Sequence, residues 1–127
     1  MSVFTRDEIA YLRSGRLGRL ATVGRGGTTH VTPVGFSYNA ELDAIDVGGH
    51  DMAITKKFRD VTRSGRAALV VDDVRLPWRP RGIEVRGRAG AVGGSRPLIR
   101  IHPERIVSWG IDTDGYRRHS RSVGAAR

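Results

Sequence analysis

Cysteine is absent from this 127-residue chain, which excludes disulfides, thiol catalysis and zinc–thiolate centres. Glutamine is also absent, asparagine occurs once, at Asn39, and aromatic residues make up only 6%. No apolar run approaches the roughly 20 residues that a membrane-spanning helix needs. The opening Met1–Leu12 lacks the basic cap, apolar run and small-residue cleavage site of a secretory leader. These absences predict a cytoplasmic protein with no membrane association. Lysine is scarce as well: of 22 basic residues, only Lys56 and Lys57 are lysines.

What is present is positive charge, a formal +9. Such an excess first suggests nucleic acid. The arginines, however, are scattered from Arg6 to Arg127, with no basic run of five and little aromatic interleaving. The expectation is no nucleic-acid partner, and a charge that serves a polyanionic small molecule. At this length the chain forms one domain, with no room for a second core.

Thr5-Arg6-Asp7-Glu8 fits a capping box, and Ile9 and Leu12 follow at helical spacing, which predicts a short helix ending near Ser14. Arg16–Val23 and Thr28–Tyr38, joined by Gly24-Arg25-Gly26-Gly27, read as a hairpin. The glycines are not a dinucleotide fingerprint, because β-branched residues follow them where a helix would be required. Leu42–Val47 reads as a third strand. Ala67–Val71 is a continuous apolar strand, expected to be buried on both faces. Asp72–Pro80 reads as a polar loop carrying Trp78. Gly82–Val92 alternates, with Ile83, Val85, Gly87, Ala89 and Ala91 on one parity. Leu98–Ile101 and Ile106–Trp109 read as a last strand pair around a turn at His102-Pro103-Glu104. Residues 1–112 form the expected domain, and 113–127 read as a frayed polar tail. Six or seven short strands, two or three short helices and no βαβ alternation predict a mostly β protein, an antiparallel barrel.

The organising stretch is Ile45–Arg59, IDVGGHDMAITKKFR. A strand breaks at Gly48-Gly49-His50-Asp51, and helical spacing resumes at Met52, Ile54 and Phe58. A helix start offers unpaired N–H groups to an anion. Thr55, Lys56 and Lys57 add a hydroxyl and two ammonium groups, and lysine is a compact charge suited to phosphate. No G-x-x-x-x-G-K is present, so this is not a P-loop. The competing reading is a solvated basic helix face.

RLATVGRGGTTHVTPVGFSYN together with IDVGGHDMAITKKFRDVTRSGRAALVVDD resembles the pyridoxamine 5′-phosphate oxidase-like split-barrel flavoproteins. THVTPVGF, IDVGGH, TKKFRDV, WRPRGIEVRG and IRIHPERIVSWGID resemble the actinobacterial branch that uses the deazaflavin coenzyme F420. The resemblance covers roughly residues 5–112. It implies a six-stranded Greek-key split barrel that forms homodimers, with cofactor sites at the subunit interface and a small-molecule hydride acceptor. It further implies that Lys57 holds the cofactor phosphate, assisted by Thr55 and Lys56. Thr32, Pro33 and Val34 would run their backbone along the ring, and Val47, Gly48 and Gly49 would line the same cleft, with His50 beside it. Trp78, Arg79 and Arg81 of the other subunit would close over the ring or its tail. FMN is the alternative cofactor, and a non-catalytic flavin- or haem-binding protein is the alternative function. The segment that binds substrate phosphate in true pyridoxamine phosphate oxidases is missing.

No residue reads as a general base or nucleophile, which fits an enzyme whose reactive atom belongs to a cofactor. His30, His50, His102 and His119 lack metal-ligand spacing, so no metal is expected. Asp72-Asp73 reads as a turn, Trp109 as core, and Arg86 and Arg88 as a solvated strand face.

Overall fold

The computed structural model describes residues 1–112 and 117–124. Helix α1 (Arg6–Ser14) begins with the expected capping box, Thr5 accepting from the Glu8 N–H while Glu8 accepts from the Thr5 N–H. Strand β1 (Leu17–Val23), β2 (Thr29–Asn39) and β3 (Ala44–Gly48) follow. A 3₁₀ turn over Met52–Ile54 then leads into helix α2 (Lys56–Ser64), whose N-cap is Thr55. Helix α2 therefore starts four residues later than its apolar spacing suggested, because Thr55 in an extended conformation separates it from the turn. Gly65, at φ 69°, ends it in the left-handed conformation that glycine favours. Strands β4 (Arg66–Arg75), β5 (Arg79–Val92), β6 (Leu98–Trp109) and β7 (Arg118–Ser122) complete the chain.

The strands run β3-β2-β1-β4-β5-β6, and β6 pairs back onto β3, closing a six-stranded antiparallel barrel that matches the expected split-barrel fold. Its interior is filled by Leu20, Ile45, Val47, Leu69, Ile83, Val85, Ile99, Ile101 and Ile106, all essentially inaccessible to solvent. Helix α1 adds Leu12 and α2 adds Val61 to this core. Alternation on each strand puts one parity inside and the other in solvent, as a closed barrel requires.

Several expectations are corrected. The residues Asp72–Pro80 are not a loop: β4 continues to Arg75, β5 starts at Arg79, and the hairpin turn carries a cis Leu76–Pro77 bond. Cross-strand ion pairs hold its charged residues in place, Arg81 to Asp73 at 2.8 Å and Arg19 to Asp72. Strand β4 is not buried on both faces either, since Ala68 and Val70 are only half-buried. His102-Pro103-Glu104 is no turn but the middle of one continuous strand, β6.

The proline is accommodated at a bulge, where the register with β5 shifts between Arg86 and Gly87. A Cβ on Gly87 would lie 2.0 Å from the His102 carbonyl oxygen, so this bend requires glycine. The bend also lets one edge of β6 pair first with β3 and then with β7.

Part of the expected frayed tail is strand β7, while residues 113–116 and 125–127 lie outside the described residues. Trp109 is half-buried on the outer face of the barrel, against Gly82 and under Arg118, rather than in the core. No helix among the described residues is long and apolar enough to cross a membrane.

Candidate functional site

The split in the barrel lies where β3 ends. Gly48 pairs with Gly35, and beyond that point β3 turns away through Gly49, His50 and Asp51. Strand β2 continues for six more residues, Thr29 to Val34, paired with β1 on one edge and, among the described residues, with no strand on the other. Thr32, Pro33 and Val34 therefore present backbone along an open edge beside the Gly48–Gly49 turn. Thr32 is half-buried, Pro33 exposed and Val34 buried. An open edge is a row of unpaired N–H and C=O groups, and a protein that keeps one needs something to cover it.

The turn leads to the α2 start. There the Thr55 hydroxyl accepts from the Phe58 N–H at 3.2 Å and donates to the Met52 carbonyl at 2.7 Å. The hydroxyl is thus used within the cap, and its contribution to a ligand is to fix the first turn. The N–H groups of Lys56 and Lys57 have no intrahelical acceptor.

The two lysines differ. The Lys56 ammonium turns back along the helix to Asp60, at 3.3 Å. Asp60 is 3% exposed and also accepts from the buried Thr22 hydroxyl at 3.0 Å. Burial raises the Asp60 pKa, but the Thr22 hydroxyl and the Lys56 ammonium outweigh it and hold the carboxyl below its ordinary value. Lys57 is half-buried and makes no ion pair or side-chain hydrogen bond among the described residues.

Val47 is fully buried and belongs to the barrel core, whereas Gly48, Gly49 and His50 line an open cleft of about 670 Å³. A Cβ on Gly48 would meet no atom within 4 Å, so this glycine relieves no crowding inside the protein and leaves its space to the cleft. His50 is exposed, with Nε2 3.2 Å from the Asp51 carboxylate. The opposite wall is the β5–β6 loop, Gly94 to Leu98, which brings Ser95 and Arg96 to the site. Sequence reasoning missed this wall; the Gly93-Gly94-Ser95-Arg96 run was its one local signal.

Of the expected site residues only Gly48, Gly49 and His50 line this cleft; Thr32, Pro33, Val34, Thr55, Lys56, Lys57, Trp78, Arg79 and Arg81 do not. Trp78 and Arg79 sit exposed at the β4–β5 hairpin, and Arg81 is engaged with Asp73 and stacked 5.0 Å over the Tyr11 ring. Burial, and then the hydrogen bond from Tyr11 to Asp73 at 2.6 Å, push the tyrosine pKa up.

Two features fit a flavin-type cofactor: free N–H groups with an unpaired ammonium for a phosphate, and an open backbone edge beside a side-chain-free turn for a planar ring. Among the described residues no group of His, Asp and Glu is placed to hold a metal.

The family model for pyridoxamine 5′-phosphate oxidase matches residues 5–120. A relative from Streptomyces rimosus, a 5a,11a-dehydrotetracycline/5a,11a-dehydrooxytetracycline reductase, is 47% identical over 96% of this chain and 94% of its own length. Among solved structures, a heme-binding protein from Mycobacterium smegmatis superposes with TM-score 0.71 at 14% identity, covering 96% of this chain and 60% of that one. A FAD-binding protein from the same organism gives TM-score 0.66 at 21% identity, over 83% of this chain and 93% of that one. With the barrel, the open β2 edge and the family match in agreement, this chain belongs to the pyridoxamine 5′-phosphate oxidase family.

Proposed function

We propose that this protein is a reductase that uses coenzyme F420 to reduce an unsaturated small molecule. Family membership and the reductase relative support an oxidoreductase. The observation that carries the cofactor reading is the open β2 edge beyond the Gly35–Gly48 pair, followed in the chain by the α2 start with its free N–H groups and Lys57. A bound deazaflavin supplies the hydride, so the chain needs no nucleophile of its own. Its residues bind and orient: the start of α2 and Lys57 hold the phosphate, and the backbone of Thr32–Val34 fixes the plane of the ring. The relative's name makes a conjugated polycyclic ketone of the dehydrotetracycline kind the first acceptor to try.

The proposed assembly is a homodimer in which Trp78, Arg79 and Arg81 of one protomer approach the cleft of its partner. It is supported by apolar side chains left exposed, among them Val31 on β2 at 71% and Leu76 in the β4–β5 turn at 90%. Burying such surface against a second copy is favourable.

FMN is the competing cofactor, and the FAD- and heme-binding neighbours favour a binding protein as the second reading. F420 carries a phosphodiester and an oligoglutamate tail, so the basic surface attracts it more than it attracts FMN. A titration at fixed ionic strength is expected to give tighter binding of F420 than of FMN, weakening as salt rises. Equal or tighter FMN binding overturns the cofactor assignment.

A further inference from the structure

Two adjacent lysines at a helix start make an anion site of charge +2, plus the partial charge of the free N–H groups. The structure does not leave it so. One turn on, the carboxylate of Asp60 sits 3.3 Å from the Lys56 ammonium, on the i,i+4 spacing that brings side chains together. Asp60 is buried and its second oxygen accepts from Thr22 on β1, itself 2% exposed. The carboxylate is thus fixed to the barrel wall. Its pair with Lys56 is not a chance surface contact between two mobile side chains. Space is reserved for the arrangement: a Cβ on Gly24 would fall 3.2 Å from both the Lys56 ammonium and His30 Nε2. Lys56, Lys57 and Asp60 together carry a net charge of +1.

We infer that Asp60 sets the charge of the α2 anion site to suit a singly charged phosphodiester in preference to a doubly charged phosphomonoester. The inference rests on the proposed placement of the cofactor phosphate at α2 and adds a reason for its selectivity. A phosphodiester has one ionisable oxygen and carries −1. A terminal phosphate monoester, as in FMN, approaches −2 above its second pKa of about 6. A site of net +1 neutralises the first and leaves the second with an uncompensated charge. Asp60 is a positioning and charge-setting residue, since it acts through Lys56 and does not face the ligand.

The test is a charge ladder read by binding of F420 and FMN to the full-length protein, at mildly alkaline pH and fixed ionic strength. Asp60→Asn keeps the partner for Thr22 and raises the net charge of the trio to +2. Lys56→Ala lowers it to 0, and the double variant restores +1. Each unit of charge at several ångströms in a water-rich site changes the FMN-to-F420 affinity ratio by about threefold. The ratio is expected to rise in Asp60→Asn, fall in Lys56→Ala and return to the wild-type value in the double variant. Asp60→Glu, which keeps the charge, should leave the ratio unchanged.

A purely structural Asp60 would alter melting temperature while the ratio stayed constant across the ladder, and that result overturns the inference. Should Asp60→Asn fail to fold, Lys56→Ala, a substitution of a half-exposed side chain, still decides by the direction in which its ratio moves. Lys57→Ala distinguishes the phosphate site at α2 from the role of Asp60. Wild-type affinity in that variant removes the phosphate site at α2 and the inference with it. Weakened affinity with a flat ladder removes only the role of Asp60.

Discussion

Removing the Glu8 carboxylate should release the C-terminal strand from the barrel. Glu8 lies on α1, yet its side chain is only 3% exposed and accepts four hydrogen bonds from the described residues. Arg121 on β7 donates twice, at 2.6 and 3.0 Å, Ser108 on β6 donates at 2.8 Å, and the Thr5 N–H at 2.9 Å. Arg121 also donates to the Val3 carbonyl. One carboxylate therefore joins the first helix to the last two strands.

Removing one partner of a buried ion pair costs about 3–5 kcal/mol. The Arg121 side chain is 31% exposed and can rehydrate, which brings Glu8→Ala below that range, to about 2–3 kcal/mol. For a domain of this size that is a fall of about 8–12 °C in melting temperature, with a lower urea midpoint. Glu8→Gln, which keeps an acceptor for Ser108, should lose about half as much.

The pH dependence has a fixed sign. Burial raises the Glu8 pKa, but hydrogen bonds from Arg121, Thr5 and Ser108 bring it below its ordinary 4.5. A carboxyl with a depressed folded pKa stabilises the fold above the unfolded value and ceases to as pH falls through the folded value. The stabilisation from Glu8 is thus complete above about pH 4.5 and is lost below it. Circular dichroism melts of wild type, Glu8→Ala and Glu8→Gln at neutral pH and at progressively lower pH give the comparison. A Glu8→Ala melting temperature within about 2 °C of wild type at neutral pH would refute the clamp.

Lys57→Ala should weaken cofactor binding about ten- to hundredfold, the loss of one charge-assisted hydrogen bond, with turnover at saturating cofactor reduced far less and partial rescue by arginine; equilibrium titration of both variants measures it. Sedimentation at micromolar concentration should show a dimer, and monomer alone would sink the shared-site arrangement. Gly87→Ala should prevent stable folding or shift the β5–β6 register, because its Cβ would lie 2.0 Å from the His102 oxygen; a thermal melt close to wild type would show that the bulge tolerates a side chain.

The elements that the sequence made readable are those whose causes are local. Thr5 and Glu8 cap α1 within four residues. The Gly48-Gly49-His50 turn and its following helix were legible for the same reason. What was misread depends on distant partners. Pro103 reads as a strand breaker until Gly87, on the neighbouring strand, supplies the bulge that admits it. The Asp72–Asp73 pair reads as a turn until Arg19 and Arg81 are placed across the sheet. Strand β7 has little apolar pattern of its own, and its position depends on Arg121 meeting a residue 113 positions earlier. In the site, the Lys56–Asp60 pair was missed although its i,i+4 spacing is local, because its consequence depends on the burial of Asp60 against Thr22. The wall at Arg96 came from the pairing of β3 with β6, which no local motif encodes.

In the proposed reaction a deazaflavin held beside the open β2 edge, with its phosphate at the start of α2, gives hydride to an unsaturated acceptor. The direct measurement mixes reduced F420, a dehydrotetracycline-type enone and the purified protein, follows reoxidation of the deazaflavin by its visible absorbance, and identifies the product by mass. The account predicts reoxidation that requires both protein and acceptor, a product two hydrogens heavier than the acceptor, and loss of rate in Lys57→Ala that is recovered by raising F420. Turnover of the same acceptor with reduced FMN but not with reduced F420 would contradict it.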